Sequence, residues 1–146
     1  EAEVLVEEVE REVEGEQETG KSEIVRFHAT TFAGRMISPR QCELQTEGST
    51  LFGLGQALFE EMHYDDGQRV NSNLADYMIP SFEDLPDELS VCVLEEPGTD
   101  EVHGIGETSV PPVMPAVANA VARAVGVRIT DLPLTPEKVL KALESA

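Results

Sequence analysis

The feature that most constrains the fold is an alanine- and valine-rich stretch at residues 113–125. Its valines recur every four residues and therefore share one face of a helix. They are Val113, Val117, Val121 and Val125. Pro112 suits the first turn of such a helix, and Gly126 supplies a stop. Because this helix carries so little polar surface, we expect it to be buried.

A glycine-spaced loop leads directly into the predicted helix. Gly104 and Gly106 permit backbone conformations that other residues avoid, and they let a bulky ligand approach closely. Glu107 is the only ionisable side chain between these glycines and the helix. The positive end of a helix favours a carboxylate in its anionic form, which is the form that acts as a base. A short Gly-x-Gly-Glu motif also occurs in ordinary surface loops, so taken alone it indicates only a candidate base.

The charge balance limits the partners of the chain. It has 29 acidic against 10 basic residues, a formal net charge of −19. Such a charge repels nucleic acids and anionic membranes, so we expect neither as a partner. Salt would screen the self-repulsion, which makes a salt-rich cytoplasm a testable setting. No apolar run reaches the length of a membrane span. Cys42 and Cys92 lie far apart, a usage typical of free thiols in a reducing cytoplasm.

The beginning of the chain predicts a β-hairpin. Strand-forming residues cluster at 4–6 and again at 24–29, and Thr19-Gly20 between them supplies turn chemistry. An amphipathic helix over residues 2–14 is the alternative, since glutamate favours helix and three of the valines are spaced by three and four residues. The number of β-branched residues favours the hairpin.

A second helix is predicted over residues 50–62, with Ser49 as its N-cap. Its apolar face comprises Leu51, Leu54, Leu58 and Met62. Gly53 and Gly55 weaken a helix, so we expect them to permit a close packing contact. Ahead of this helix, residues 33–39 predict a glycine turn and a short extended run that ends at Pro39.

The remaining segments complete a mixed fold. Asp66-Gly67 predicts a hairpin turn; a calcium loop would need later acidic ligands that are missing. Residues 89–94 and 127–129 are strand-like, and Thr135-Pro136 begins a last helix. We therefore predict one α+β domain over residues 1–146, in which β-hairpins and a small sheet pack against about three helices.

Several blocks of residues stand in a fixed order along the chain. They are residues 45–48, 52–58, 73–80, 104–107, 111–113 with 116–120, and 132–139. Together these blocks resemble the C-terminal part of the molybdenum-binding (molybdopterin) large subunit of the xanthine dehydrogenase/aldehyde oxidase family. Within this family, the sequence of residues 107–112 is most similar to that of the isoquinoline oxidoreductase-like branch.

The resemblance implies specific roles for three residues. Glu107 occupies the position of the family's catalytic base, and Gln45 that of a glutamine that donates hydrogen bonds to the pterin or to ligands of the metal. Gly106 lies in the same cofactor-binding block. The implied cofactor is a molybdenum-pterin, either molybdopterin or its cytosine dinucleotide form. The implied reaction oxidises aldehydes or N-heterocycles with oxygen derived from water.

The resemblance also implies partners. The segments that enclose the pterin in the family lie upstream of the matched region, and the chain has no cysteine set for an iron–sulfur cluster. We therefore expect it to act with the remaining molybdopterin-binding part of the large subunit, with iron–sulfur and FAD subunits, and with a small-molecule substrate. The alternative function is a non-catalytic remnant or subunit-assembly module that retains the domain fold.

The sequence departs from the family pattern at four positions. His103 stands where a lysine usually precedes the Gly-x-Gly-Glu block, and Phe32 and Ser38 replace an aspartate and an asparagine. Ser49 replaces the second glycine of a Glu-Gly-Gly motif. None of the histidines and cysteines has the paired spacing of a zinc site, so we expect no metal bound by protein ligands alone. These residues are His28, His63, His103, Cys42 and Cys92.

Overall fold

The computed structural model describes residues 3–8 and 19–145. Its main sheet has three strands, β1 (Glu3–Glu8), β2 (Arg26–Gly34) and β5 (Glu88–Glu95). A separate hairpin is formed by β3 (Tyr64–Asp65) and β4 (Gln68–Arg69). The helices are α1 (Pro39–Leu58), α2 (Leu74–Tyr77), α3 (Val110–Val125) and α4 (Pro136–Glu144), and a 3-10 turn spans Phe82–Asp84. The mixed α+β class predicted from the sequence is confirmed.

Strand β2 lies in the middle of the main sheet. It pairs antiparallel with β1, where Glu3 lies opposite Thr30, and parallel with β5, where Phe27 lies opposite Leu89. Alternate side chains of β2 point to opposite faces of the sheet, as the pleat requires. The inward set is buried and comprises Phe27, Ala29, Thr31 and Ala33. Helices α1 and α3 pack against the sheet and against each other.

The valine face of α3 forms the centre of the core. Val113, Val117 and Val121 are at most 2% exposed. At Gly126 the backbone is left-handed, with φ of 78°, and its N–H donates to the Ala122 carbonyl. The glycine stop is confirmed, and burial is confirmed for this face of the helix; Pro115, Asn119 and Arg123 on the other side are exposed. A glycine ends the helix well because it adopts this conformation without a Cβ clash.

Two other local predictions are confirmed. Asp66 and Gly67, with φ of 45° and 76°, form the turn between β3 and β4, which is the turn geometry that suits tight hairpins. The Thr135 hydroxyl accepts a hydrogen bond from the Lys138 amide at 3.4 Å and caps α4.

The predicted start of the first long helix is wrong. Helix α1 begins at Pro39, and Ser49 lies fully buried in its middle. The helix ends at Leu58, so Met62 lies outside it and is exposed. Pro39 was expected to stop an extended run, but a proline lacks only an amide that the first helical turn leaves unpaired, so it opens the helix instead.

Three further expectations need correction. Residues 127–129 form no strand; they lie in an irregular connection after α3. The helix considered as the alternative for residues 2–14 is wrong for Glu3–Glu8, which form β1 and pair antiparallel with β2 as the favoured hairpin requires; Val9 and Val13 fall outside the described residues. The part of the chain that the structure describes has four helices where about three were expected, because the single turn α2 adds one. Within that same part, none of the helices has the length and apolar character needed to cross a membrane.

Candidate functional site

The glycine-spaced loop is fixed at its beginning to the end of β2. The His103 amide donates to the Ala33 carbonyl at 3.1 Å, and Val102 pairs with Gly34. Gly34 has φ of +64°, and a Cβ there would lie 2.5 Å from the Glu101 carbonyl oxygen. Only glycine fits this conformation and this close approach, so Gly34 sets where the loop begins.

Two side chains of α1 hold the middle of the loop. The Gln45 side-chain amide donates to the Gly106 carbonyl oxygen at 2.6 Å, and the Ser49 hydroxyl donates to the same oxygen at 2.9 Å. Residues four apart in a helix lie on the same face, which explains why both reach one carbonyl. This carbonyl belongs to the residue immediately before Glu107, so α1 fixes the backbone there.

The end of the loop is fixed from the other side of the core. The hydroxyls of Thr31 on β2 and Ser109 lie 2.6 Å apart, and both residues are 1% exposed. The Val110 amide donates to the Glu107 carbonyl at 3.1 Å, which forms the turn into α3. Glu107 is therefore bracketed by contacts at Gly106 and at Ser109.

The backbone at Glu107 is held by neighbouring contacts, whereas its side chain has no such partner. It is exposed, and no described residue forms a hydrogen bond or ion pair with its carboxylate. A Cβ added at Gly104 or at Gly106 would meet no atom within 4 Å. The loop thus presents a carboxylate, at the positive end of α3, beside open space that a ligand could fill.

The three predicted site residues lie together. Gln45, Gly106 and Glu107 belong to one contiguous group, linked through the Gly106 carbonyl. The histidines and cysteines do not assemble: within residues 3–8 and 19–145, no three His, Cys, Asp or Glu side chains are grouped so that they could hold a metal ion.

Sequence reasoning missed the supporting hydroxyls. Ser49 was interpreted as a helix N-cap, and Thr31 and Ser109 were given no role. Had the helix been predicted to start at Pro39, Ser49 would have been placed one turn after Gln45, on the same face. The role of Ser49 was therefore missed because the helix start was predicted wrongly. Phe32 and His103, two of the positions that depart from the family pattern, contact each other. Their rings pack edge to face, with centroids 5.1 Å apart.

Comparison with known proteins decides the family. The profile of the molybdopterin cofactor-binding domain matches residues 10–86, which is more than half of the chain. The chain belongs to this family. It is 36% identical over 133 residues to the aldehyde oxidoreductase molybdenum-binding subunit PaoC of Escherichia coli K12, covering 86% of this chain and 18% of that protein. It is 40% identical over 118 residues to the putative xanthine dehydrogenase molybdenum-binding subunit XdhA of the same organism, covering 78% of this chain and 16% of that protein.

A solved structure agrees with these relatives. Quinoline 2-oxidoreductase from Pseudomonas putida 86 superimposes with a TM-score of 0.78 at 34% identity, covering 86% of this chain and 17% of that one. The expected family, the molybdenum-binding subunits of the xanthine dehydrogenase/aldehyde oxidase family, is confirmed, and so is a molybdenum-pterin as the cofactor of the family. The expected similarity to the isoquinoline oxidoreductase-like branch is supported by this quinoline 2-oxidoreductase structure. This molybdopterin cofactor-binding chain spans less than a fifth of the length of each of these relatives.

The residues at the loop fit a pterin contact. The side-chain nitrogen of Gln45 donates to the Gly106 carbonyl oxygen at 2.6 Å and to the Ser49 hydroxyl oxygen at 3.5 Å, while no described residue donates to the Gln45 side-chain carbonyl oxygen. An amide offers both donors and an acceptor without adding charge, which suits the mixed polar edge of a pterin. The space over Gly104 and Gly106 leaves room for the approach.

Proposed function

We propose that this chain supplies the catalytic base, Glu107, and a cofactor contact, Gln45, to a molybdenum hydroxylase. The main support for the proposal is the 2.6 Å hydrogen bond from the Gln45 side chain to the Gly106 carbonyl oxygen. Because Gly106 immediately precedes Glu107, this bond places the proposed cofactor contact beside the backbone of the proposed base. In this account residues 1–146 act as one domain of a larger molybdenum-binding unit. The substrate is an aldehyde or an N-heterocycle, the classes named for the aldehyde and quinoline oxidoreductase relatives.

The role of Glu107 is to take a proton. Its carboxylate is exposed and has no described partner, so an oxygen atom is available to accept a proton from a water-derived nucleophile. Gln45 and Ser49 hold the carbonyl of Gly106, so they fix the backbone that carries this carboxylate. The molybdenum-pterin, when bound, would supply the redox centre and the site of oxygen transfer.

Gln45 and Gly106 act by binding. The exposed Gln45 amide would hold the pterin in either its molybdopterin or its cytosine dinucleotide form. Gly106 would let the cofactor approach, since a Cβ there has no neighbour within 4 Å and would only occupy that space.

The partners in this proposal are the remaining molybdopterin-binding part of the subunit and iron–sulfur and FAD subunits. Support for a partner surface comes from the segment 62–82, where seven large hydrophobic side chains are exposed by half or more. They are Met62, Tyr64, Val70, Leu74, Met78, Ile79 and Phe82. Apolar surface of this density marks an interaction face in a protein with so many charges.

The proposed compartment is the cytoplasm. Free Cys42 and Cys92 suit its reducing conditions.

The same surface favours a second candidate function. A chain that only assembles with its partners, without contributing a base, would also need an exposed apolar face. The two functions differ in what they require of Glu107. An assembly module has no use for a carboxylate at that position, whereas the catalytic role depends on it.

The deciding experiment is co-expression with the missing molybdopterin-binding segment, followed by measurement of molybdenum content and of dye-linked oxidation of aldehydes and N-heterocycles. We expect Glu107→Gln to lower kcat by roughly 10²- to 10⁴-fold, the range for loss of a general base, at unchanged molybdenum content. Glu96→Gln, which removes an exposed glutamate from the loop after β5, is the matched control and should retain activity. If the Glu107 variant is as active as the wild type, the assembly function stands and the base assignment is wrong.

A further inference from the structure

The hydroxyl of Ser49 differs from its neighbours on α1. Thr46 donates to the Cys42 carbonyl at 2.9 Å, and Thr50 donates to the Thr46 carbonyl at 2.8 Å. Both bonds return to the preceding turn of the same helix, as hydroxyls in a helix commonly do. Ser49 instead donates out of the helix, to the Gly106 carbonyl oxygen. Since Ser49 is 0% exposed, water does not reach its hydroxyl, although Gly106 itself is exposed.

The Gly106 carbonyl has two donors, and these differ in accessibility. Gln45 is exposed, so its amide can rotate towards a ligand, whereas Ser49 is enclosed and has no other described acceptor across the loop. The Gln45 nitrogen also lies 3.5 Å from the Ser49 hydroxyl oxygen, so the two side chains share one small network. A cofactor that engages the Gln45 amide would leave the carbonyl to Ser49 alone.

We propose that Ser49 is a positioning residue whose hydroxyl holds the Gly106 carbonyl, and with it the backbone of Glu107, while Gln45 is engaged by the cofactor. This inference rests on the proposed function. It assigns a purpose to a residue that replaces the glycine usual in the family motif. Ser49 does not touch the reacting atoms; it acts through the peptide that joins Gly106 to Glu107.

The first test is hydrogen–deuterium exchange on the enzyme assembled with its molybdopterin-binding segment. In Ser49→Ala the amides of residues 104–108 should exchange roughly five- to tenfold faster, the effect of losing one buried hydrogen bond.

Thr50→Val is the matched control, since it removes the adjacent buried hydroxyl, which bonds only within α1. Its loop should exchange as in the wild type. Melting temperatures of both variants identify any general loss of stability. Unchanged loop exchange in Ser49→Ala overturns the proposal.

The second test separates positioning from binding. Because a displaced base slows the chemical step, Ser49→Ala should lower kcat roughly five- to tenfold and leave KM within about twofold, while Thr50→Val changes neither. If loop exchange rises and kcat is unchanged while Glu107→Gln is inactive, the loop contact does not position the base and the proposal is wrong. If Glu107→Gln also retains full activity, the proposed function fails, and faster exchange would then assign Ser49 to the loop fold alone.

Discussion

Gly53 of α1 and Val113 of α3 lie in direct contact across the two helices. A Cβ at Gly53 would fall 2.5 Å from the Val113 Cβ and 2.9 Å from the Val110 carbonyl oxygen. The missing side chain therefore sets the distance between α1 and the beginning of α3. Because Gln45 and Ser49 are on α1 and the loop leads into α3, this contact also sets the distance between the anchoring side chains and Glu107.

Gly53→Ala should destabilise the chain by about 1–3 kcal/mol, because the added methyl group overpacks a backbone contact. Gly48→Ala is the matched change on the same helix: a Cβ there meets no atom within 4 Å. It should stabilise the chain by about 0.5–1 kcal/mol, since alanine favours helix over glycine. Urea denaturation of both variants checks the sign. Equal effects at the two positions would show that the helices do not meet as described.

Gln45→Met should lower the molybdenum content of the assembled enzyme and leave the chain folded. Methionine keeps the length of the side chain but has no amide to contact a pterin, and Ser49 still holds the Gly106 carbonyl. Metal analysis and thermal denaturation measure the two quantities. Gln41→Met, an exposed glutamine one turn earlier on α1, is the control. Equal molybdenum content in both variants would contradict the role of Gln45.

Thr31→Val should cost about 1–3 kcal/mol of stability, because it leaves the Ser109 hydroxyl buried without its partner. The double variant with Ser109→Ala removes both hydroxyls, and its cost should be less than the sum of the two single costs. A double-mutant cycle by chemical denaturation measures this coupling. Strict additivity would mean that the two hydroxyls do not stabilise each other.

Tyr77 provides a prediction for alkaline pH. Hydrogen bonding with the Glu60 carboxylate, together with burial and the negative charge of Glu60, raises the pKa of Tyr77 above 10.0. Because the folded value lies above the unfolded one, the contact stabilises the fold below pH 10.0 and is lost as the pH rises through the folded pKa.

Phenolate absorbance can follow Tyr77 alone in a Tyr64→Phe background, since the chain has two tyrosines. The titration midpoint should lie above 10.0, and Glu60→Gln should lower it, whereas Glu47→Gln should not. A midpoint that Glu60→Gln leaves in place would assign the shift to burial rather than to the carboxylate.

The sequence predicted well where one local rule determined the outcome. The four-residue spacing of valines and the glycine at 126 were enough to identify α3 and its end. Asp66-Gly67 was enough for the small hairpin. In these cases helix or turn geometry follows from residues that are neighbours in sequence, so no tertiary information was needed.

The first half of α1 was not predictable in this way. Residues 39–49 contain three hydroxyl-bearing or glycine residues among polar ones and few apolar positions, so they carry little amphipathic signal. Thr46 and Ser49 are buried, and Ser49 bonds to the loop, so this helix depends on tertiary contacts. The candidate site was found from the family motif, but its supports were missed because Thr31 meets Ser109, and Ser49 meets Gly106, only after folding.

The loop backbone around Glu107 is held from α1 and from β2, yet the carboxylate at that position is exposed and forms no hydrogen bond or ion pair with the described residues. We therefore expect folding to tolerate other side chains at residue 107. Replacements there, including non-natural acids or bases of chosen strength, should alter reactivity without altering the scaffold. Residue 107 is thus a position at which the proton affinity of a reactive group can be varied while its support stays constant.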